Sequence, residues 1–565
     1  MRLIPKLNTT ATLTLVVLVV GLVCGGGTRN GFIGDVILQL AAIPLLVWCL
    51  FSKSEKSHGA AGASQPERVP GRLPALIFCF ALVLVPIVQL IPLPLAIWQW
   101  LPGRDVIREA FDLIGKPMGP QPISMVPDST WLALISLIPP IAVFLGVMRL
   151  GLSDRRFLSK VIIGFGVVSV VLGLMQLAQG PNSPLRFFEF TNTTEAVGFF
   201  ANRNHFAALL YVVMIFAAAW VIEALSSVRG LTRESVLHSP VILVLAATFV
   251  IFIALLIGQT MARSRAGLLL TIAGLFAVLA LAFTGSQGRE AGSRTVKIVF
   301  GAVAFAIVFS LQFALYRILE RFDQDPLEDA RVMYARNTYE LAKAYLPLGT
   351  GMGTFVPIYA MHEKPADLIP SFANRAHNDV LEVSLESGVL GIALMLVFAL
   401  WLLRKIIKVW RKSGDLEAQD IDIAMMKAAT ISLCLLAAHS FVDYPLRTGA
   451  MMVLAAFCCG LLIPPPRGLI RSERASRSQT PTATMSTQEV GGFKKGPLQD
   501  RPQVHAAPAK AVRPRQLWQT DKQWPESWTA KDASQKDVRT SETGKKEEDK
   551  NEKDKKDDPG PDRRG

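Results

Sequence analysis

The stretch 375–403, RAHNDVLEVSLESGVLGIALMLVFALWLL, decides how this chain folds. It begins with a polar group, Arg375 to Glu382, and ends in an uninterrupted apolar run, Val389 to Leu403. Such a run predicts a membrane helix, because backbone N–H and C=O groups in lipid must bond within their own segment. His377 therefore lies where a membrane helix meets water.

Similar apolar runs recur along the first 463 of the 565 residues, and 51% of the whole chain is hydrophobic. A helix of about 20 apolar residues crosses the roughly 30 Å hydrocarbon layer. We therefore predict an all-α polytopic membrane protein with about twelve transmembrane helices. The predicted spans are 9–25, 32–51, 73–92, 131–149, 160–178, 204–225, 240–258, 266–284, 298–315, 388–404, 425–441 and 447–463.

The spans divide the chain into two parts. Residues 1–463 form the predicted membrane domain, within which 316–387 is the largest outer loop. Residues 464–565 are polar and rich in proline, serine, threonine and lysine. A segment of this composition cannot bury enough apolar surface to offset its ordering entropy, so we predict a disordered cytoplasmic tail.

Basic residues mark one side of the membrane. They follow every even-numbered span up to the tenth, which places both termini in the cytoplasm under the positive-inside rule. The net charge of +14 is therefore mostly a consequence of topology, and we expect no nucleic-acid partner. These residues are Lys53, Lys56, Arg68, Arg72, Arg149, Arg155, Arg156, Lys160, Arg229, Arg233, Arg289, Arg294, Lys297, Arg404, Lys405, Lys408, Arg411 and Lys412.

Polar residues gather where helices begin on the opposite, outer side. Asparagine and serine there are suited to cap helices, and Asp379 with Glu382 resembles a capping box. Helix N-termini attract anions, and guanidinium groups grip phosphate oxygens, so these helix ends predict a diphosphate-binding surface. Alternatively, the arginines only anchor the helices at membrane lipids. The residues concerned are Asn202, Arg203, Asn204, Arg263, Ser264, Arg265, Asn378 and Arg447.

Two segments of the loop 316–387 have sequences that predict a local structure. Apolar positions between Arg331 and Tyr345 predict an amphipathic helix, with Met333, Ala335, Leu341, Ala342 and Tyr345 on its apolar side. The glycines of 349–353 superficially resemble a dinucleotide-binding loop, but no strand precedes them, so we predict a tight turn.

His377 is the candidate general base, because a histidine near a positive helix end tends to stay neutral. A metal site built from His362, His377, His439 and Asp443 is a weaker alternative, since their spacing matches no compact ligand motif. The six cysteines all lie in apolar runs, which is typical of small buried side chains. We expect neither a metal nor another cofactor.

The chain resembles the O-antigen ligase and polymerase family of bacterial inner-membrane glycosyltransferases. Three stretches carry the likeness: 198–210, 263–270 and 376–394, the last with the pattern His-Asn-x-x-Leu-Glu-x-x-x-Glu-x-Gly-x-x-Gly. The stretch 439–447 is similar to a further signature of many members.

This resemblance implies a metal-independent reaction on the periplasmic face of the inner membrane. The donor would be a glycan on undecaprenyl diphosphate, and the acceptor a sugar hydroxyl of lipid A-core in ligases or another lipid-linked repeat unit in polymerases. Matched residue by residue, Arg265 would hold the diphosphate, with Arg203 and Arg331 as weaker matches, and His377 would accept the hydroxyl proton. Where many members have Ser-Gly before the loop arginine, this chain has Asp329-Ala330.

The ligase and polymerase functions are not separated by these motifs. A second class of protein, a transporter of lipid-linked glycan, would need ionisable groups or broken helices near the membrane midplane. The predicted spans are nearly free of charge, and polar residues concentrate at their outer ends. This distribution favours chemistry at the membrane surface.

Overall fold

A computed structural model describes residues 7–28, 33–52, 71–227, 240–283, 297–309, 312, 326–369, 373–411, 420–466 and 469. Within these ranges the chain is helical except for short connections and one two-stranded pairing. The predicted all-α polytopic fold is confirmed. The predicted tail, 464–565, lies outside the described residues except for 464–466 and 469.

The elements are numbered in chain order. The long or apolar helices are α1 (Thr9–Cys24), α2 (Ile33–Phe51), α3 (Arg72–Leu90), α6 (Pro127–Ser136), α7 (Ile138–Arg149), α8 (Leu152–Ala178), α9 (Arg203–Ser227), α10 (Pro240–Ala262), α11 (Arg265–Phe283), α12 (Lys297–Phe309), α15 (Asp379–Arg411), α16 (Asp420–His439) and α17 (Gly449–Leu461). The outer connections add β1 (Pro92–Leu93), α4 (Leu95–Trp98), α5 (Asp105–Leu113), β2 (Gln121–Pro122), α13 (Pro326–Ala344), α14 (Phe355–His362) and 3₁₀ turns at Pro365–Asp367 and Pro445–Arg447.

Every predicted span coincides with a helix of the described chain. Nine helical segments there, with α6 and α7 counted as one, are long and apolar enough to cross a membrane. The helices α1, α12 and α17 are apolar but shorter. The helix of the third span ends at Leu90, two residues before the predicted end and just before Pro92.

The helices pack around α9 and α16. Every residue from Asn204 to Ala219 in α9 is buried, and α9 contacts α8, α10, α11 and α16. A helix that is apolar on all sides must be surrounded by other helices or by lipid, and α9 is surrounded by helices. Its first residues, which include Arg203, Asn204 and His205, are thereby held between neighbouring helix ends.

Basic side chains near the predicted cytoplasmic ends bond to the ends of helices. Arg155 Nη1 donates to Ile463 O and Lys405 Nζ donates to Leu462 O, each over 2.8 Å. Cations there satisfy carbonyl groups that lack an intrahelical partner and complement the negative end of the helix dipole. These basic residues therefore also stabilise the fold.

The helix α15 is broken at Gly388, which has φ 53° and ψ −141°. The chain at the break bonds to the preceding loop: Val389 N donates to Pro347 O over 2.8 Å, and Gly351 N donates to Glu386 O over 2.9 Å. A Cβ on Gly388 would lie 2.1 Å from Pro347 O, so only glycine fits. The predicted tenth span therefore begins at the break, and 379–387 is a separate helical segment in front of it.

The outer loop contains the predicted helix, α13, but its buried face differs from the predicted one. Ala330, Tyr334, Thr338 and Ala342, spaced four residues apart, are buried, whereas Met333, Ala335 and Leu341 are only partly buried. The spacing is that of one α-helical face, and Thr338 is accommodated on it because its hydroxyl donates to Tyr334 O.

The glycine-rich segment after α13 is a turn, as predicted. Gly349, Gly351 and Gly353 all have positive φ. Thr350 N donates to Leu385 O over 3.0 Å, which fixes this turn against the outer segment of α15.

Candidate active site

His377 has an unusual backbone conformation at the start of α15. Its φ is 51°, a left-handed value that bulky side chains rarely adopt. The next residue, Asn378, caps the helix through a 3.0 Å bond from Leu381 N to its Oδ1, and Asp379 N donates to Ser440 O over 2.8 Å. These bonds on the C-terminal side hold the strained residue in place, and strain of this kind is frequent at functional sites.

The His377 ring is oriented by Asp443. Its Nδ1 lies 3.2 Å from Asp443 Oδ1, and the Asp443 side chain is fully buried. Asn204 Nδ2 and the backbone N–H of Tyr444 also donate to this carboxylate. Asp443 lies 66 residues from His377 in the chain, so the pairing is a product of the fold.

The charge of Asp443 fixes the histidine tautomer. Burial alone would raise the pKa of Asp443, but the hydrogen bond from His377 and the positive charge of Arg331 hold it well below its ordinary value. The ionised carboxylate can only accept a hydrogen bond, so the neutral ring carries its proton on Nδ1. The Nε2 atom of His377 then has a free lone pair and can take a proton.

Two tyrosines pack against the His377 ring. Tyr334 of α13 lies parallel to it with ring centroids 6.3 Å apart, and Tyr444 meets it edge-on at 4.9 Å. The side chain of His377 keeps 18% of its surface exposed. The ring is therefore held on two sides and still reachable from outside.

Behind His377 lies a buried cluster of charged residues. Arg375 Nη1 donates to Glu382 over 2.9 Å, and Arg447 donates to Glu386 over 2.8 Å and to Asp379 over 3.3 Å. The three carboxylates belong to the outer segment of α15 and face two guanidinium groups. The polar pattern of 375–386 is therefore largely a scaffold for the loop that carries His377.

This cluster corrects two predictions. Asp379 and Glu382 do not form a capping box, because Asp379 accepts from Ser440 Oγ over 2.7 Å and from Arg447, while Glu382 accepts from Ala376 N over 3.0 Å. The cap is Asn378. Arg447, predicted to bind diphosphate, is instead enclosed by carboxylates, whose charges raise its pKa although burial alone would lower it.

Arg331 lies close to the catalytic candidate. It is partly buried at the start of α13, and its charge acts on Asp443. The placement brings Arg331 and His377 to one side of the molecule, although Ala330 replaces the glycine that many members have before the arginine.

The turn between α10 and α11 holds Arg263 and Arg265. Arg263 has φ 50°; among the described residues, it and His377 are the two positive-φ residues other than glycine. Ser264 caps α11, as its residue type predicted, by accepting from Gly267 N over 3.0 Å. A Cβ on Gly267 would lie 2.5 Å from Ala207 Cβ, so the outer end of α11 sits directly on α9.

Arg203, at the start of α9, is paired with a buried carboxylate. Its Nη1 lies 2.6 Å from Glu195 Oε1, and its backbone N donates to Asn192 Oδ1 over 2.9 Å. The same loop reaches α10 through a 3.1 Å bond from Ala196 N to Met261 O. Arg203 therefore fixes the loop before α9, and that loop in turn bonds to the end of α10.

Asn202 connects this region to His377. It caps α9 by accepting from Asn204 N over 2.8 Å, and its Nδ2 donates to Tyr444 Oη over 3.4 Å. Tyr444 contacts both His205, at 4.9 Å between ring centroids, and His377.

The other outer histidines have different surroundings. His362 bonds to Tyr345 Oη over 3.2 Å and to Ile358 O over 2.9 Å, and His439 is fully buried with its Nδ1 3.2 Å from Tyr211 Oη. Within the described ranges, no three histidine, cysteine, aspartate or glutamate side chains are grouped to hold a metal ion. The alternative set of four ligands is therefore not assembled.

Sequence reasoning did not assign Asp443 its role beside His377, and it gave Asn204 only a capping role. It did not single out Tyr334 or recognise Arg375 as a scaffold residue. The available signal was a cluster of polar residues, His439 to Arg447, between two apolar runs, where buried polar side chains require partners. It could not show which partner each one has.

A comparison with models of known protein families supports the resemblance described above. Residues 247–396 match the family model Wzy_C, described as O-Antigen ligase. Residues 247–396 are thus similar to an O-antigen ligase domain. The match supports an O-antigen ligase-like family, whose members are glycosyltransferase-like enzymes of polysaccharide synthesis.

The O-antigen ligase domain includes four of the candidate residues, namely Arg263, Arg265, Arg331 and His377, together with Asn378. Asn202, Arg203 and Asp443 lie outside the matched range. No curated protein matches the chain.

Proposed function

We propose that the protein transfers a glycan from undecaprenyl diphosphate to a sugar hydroxyl of an acceptor, lipid A-core, at the periplasmic face of the bacterial inner membrane. The observation that carries this proposal is the His377–Asp443 pair, which gives a partly exposed imidazole a free Nε2 at the outer end of a membrane helix. The O-antigen ligase domain supports the reaction class.

In the proposed reaction the acceptor hydroxyl gives its proton to Nε2 of His377 as its oxygen attacks the anomeric carbon. The bond between that carbon and the diphosphate oxygen breaks, and undecaprenyl diphosphate leaves with the electron pair. Attack opposite the leaving group inverts the anomeric configuration. Asp443 stabilises the imidazolium that forms, as a buried carboxylate does beside a general-base histidine.

Positive charge is needed at the leaving diphosphate. We assign this task to Arg265, with Arg263, Arg331 and Arg203 as further candidates, because guanidinium binds phosphate oxygens through two parallel hydrogen bonds. With these cations the reaction needs no metal ion. Asn202 and Asn378 shape the two helix ends between which the donor would lie.

The proposal is tested by reconstituting the purified protein with undecaprenyl-diphosphate glycan and lipid A-core. The unsubstituted chain should form glycan-bearing lipid A-core, and His377→Ala should lose nearly all activity while the protein stays folded. His362→Ala, another outer histidine, is the matched control and should keep its activity.

Full activity of His377→Ala would exclude the general-base role. If the product is instead a longer glycan still attached to undecaprenyl diphosphate, the protein is a polymerase of O-antigen or exopolysaccharide. Movement of intact lipid-linked glycan across the membrane without transfer would identify a transporter.

A further inference from the structure

The outer connection after α3 contains a helix with no buried side chain. Seven of the nine residues of this helix, α5 (Asp105–Leu113), are exposed, and Ile107 and Phe111 on its apolar side are partly buried. Leu113 is 87% exposed and Val106 44%, and the following Ile114 is 63% exposed. These are large apolar side chains in an otherwise well-packed outer region, so their exposure needs an explanation.

The residues of α5 separate into two faces. At 100° per residue, Val106, Ala110, Leu113 and Ile114 fall on one side. The opposite side carries only charged residues, and Arg108 and Asp105 there form a 2.8 Å ion pair exposed to solvent. The charged side chains are Asp105, Arg108, Glu109 and Asp112. This division is typical of helices that lie in the plane of a membrane surface.

The position of α5 is fixed relative to a membrane span. Arg104, the residue before it, is 2% exposed and donates to Gly349 O over 3.1 Å and to Ile123 O. Gln89, in the last turn of α3, donates to Glu386 O over 2.9 Å. The segment is therefore held at the outer end of α3 and at the break in α15.

The apolar surface of α3 continues toward α5. Ile87 and Ile91, at the outer end of α3, are 41% and 49% exposed. Ile97 and Trp100, in the connection to α5, are 55% and 81% exposed. Tryptophan is enriched where membrane helices leave the hydrocarbon layer, because its ring is apolar with a polar N–H. Exposed apolar residues thus recur along the chain from the outer end of a predicted membrane helix to α5.

We propose that α5, together with Trp100, lies in the outer-leaflet surface of the membrane. Through Arg104 it sets the depth, relative to the membrane, of the loop 345–351 that bonds to the break in α15. The ligand of this surface is the boundary between lipid head groups and acyl chains. Because α5 carries three acidic residues and one basic residue, the attachment is hydrophobic and does not depend on anionic lipid. This inference is independent of which reaction the protein catalyses.

The test uses spin labels on adjacent residues of opposite faces in the full chain, reconstituted in vesicles of zwitterionic lipid. Leu113→Cys carries the label on the apolar face, and Asp112→Cys is the matched control on the charged face. Both side chains are exposed, so neither substitution removes a packed group. The labelled unsubstituted chain provides the background from its six cysteines.

We expect the label at 113 to be relaxed by oxygen, which concentrates in lipid, more than by a water-soluble nickel complex. The label at 112 should show the reverse order, and adding anionic lipid should change neither. Equal access of the nickel complex to both labels would overturn the proposal. The proposal would also be overturned if the label at 113 were protected from both relaxing agents, but only at a high protein-to-lipid ratio. That result would indicate that a second copy of the chain covers this surface.

Discussion

At the scale of single residues, His377 and Asp443 divide one task. His377 is partly exposed and holds the free nitrogen, whereas Asp443 is buried and touches only the protein. Asp443 therefore acts by positioning His377, and removal of Asp443 should affect turnover more than substrate binding.

Replacing Asp443 with asparagine tests this division. The amide can donate to Nδ1 and would favour the wrong tautomer, so we expect kcat to fall by about 10²- to 10⁴-fold with KM for the donor nearly unchanged. Steady-state kinetics in proteoliposomes measures both. A change confined to KM would show that Asp443 contributes to binding instead.

The pH dependence of stability should also reveal Asp443. Its pKa in the folded protein is well below the ordinary value of 3.8, so its stabilising contribution is present above that value and is lost as pH falls through the folded pKa. We therefore expect the difference in unfolding midpoint between the unsubstituted chain and Asp443→Asn to shrink as pH falls below about 4. A difference that stayed constant from about pH 5 down to about pH 3 would contradict the assigned ionisation.

Arg203 offers a second residue-level test, because it has both a structural and a proposed binding role. Arg203→Ala leaves the Glu195 carboxylate, 2% exposed, without the guanidinium charge, and we expect a loss of about 3–5 kcal/mol of unfolding free energy. Arg203→Ala combined with Glu195→Gln should recover much of it. Denaturation in detergent measures the stability, and donor KM measured in both variants shows whether Arg203 also binds substrate.

Some of the site was predictable from the sequence at this scale. His377 and Asn378 stood out because polar residues directly before an apolar run must lie at a helix end. The pairing of Arg447 with Asp379 and Glu386 was not predictable, because nothing in the local pattern links residues more than 60 positions apart. The capping-box prediction failed because other partners took both carboxylates: Ser440 and Arg447 bond to Asp379, and Arg375 and Ala376 N bond to Glu382.

At the scale of elements, the break in α15 determines where the functional loop lies. Gly388 permits a backbone conformation that other residues avoid, and the loop 345–351 bonds to the groups that the break releases. The sequence predicted the position of this break only as the start of a span, because apolar content shows where lipid begins and not whether the helix is continuous.

Gly388→Ala should therefore destabilise the protein. The added Cβ would meet Pro347 O at 2.1 Å and would also be strained by the positive φ, which alone costs about 1–3 kcal/mol. Gly164→Ala, in α8, is the matched control, because a Cβ there meets no atom within 4 Å. We expect a lower unfolding midpoint for the first variant and an equal or higher one for the second.

The helix α13 shows a different limit of sequence reasoning. Its existence followed from the sequence, but its buried face was only partly predicted. Ala342 and Tyr345 are buried as expected, whereas Tyr334 and Thr338, which were not assigned to the apolar side, are buried as well. Tyr334 is 4% exposed and packs against His377, so its aromatic ring matters more than its hydroxyl.

At the scale of the whole molecule, the twelve apolar runs were sufficient to predict the fold class. Lipid imposes helices on any long apolar run, so composition alone carries this information. The sequence did not predict which helices pack against α9 and α16, because the apolar runs do not show which side of each helix faces the protein.

The orientation of the whole protein remains a prediction that a simple experiment can check. An epitope inserted at 115–119, beyond α5, should bind antibody in intact spheroplasts. An epitope at the C-terminus should bind only after the membrane is permeabilised. The reverse pattern would place His377 on the cytoplasmic side and remove the basis for a periplasmic reaction.

The break at Gly388 also divides α15 into a part that spans the membrane and a part that is bonded to the outer loops. The segment 389–411 must adjust its tilt when the bilayer thickens or thins, as all spanning helices do. The segment 379–387 is bonded instead to the loop after α13, to Gln89 and to Ser440. We therefore expect tilting of the long helix to be absorbed at Gly388, so that the geometry around His377 stays constant in membranes of different thickness.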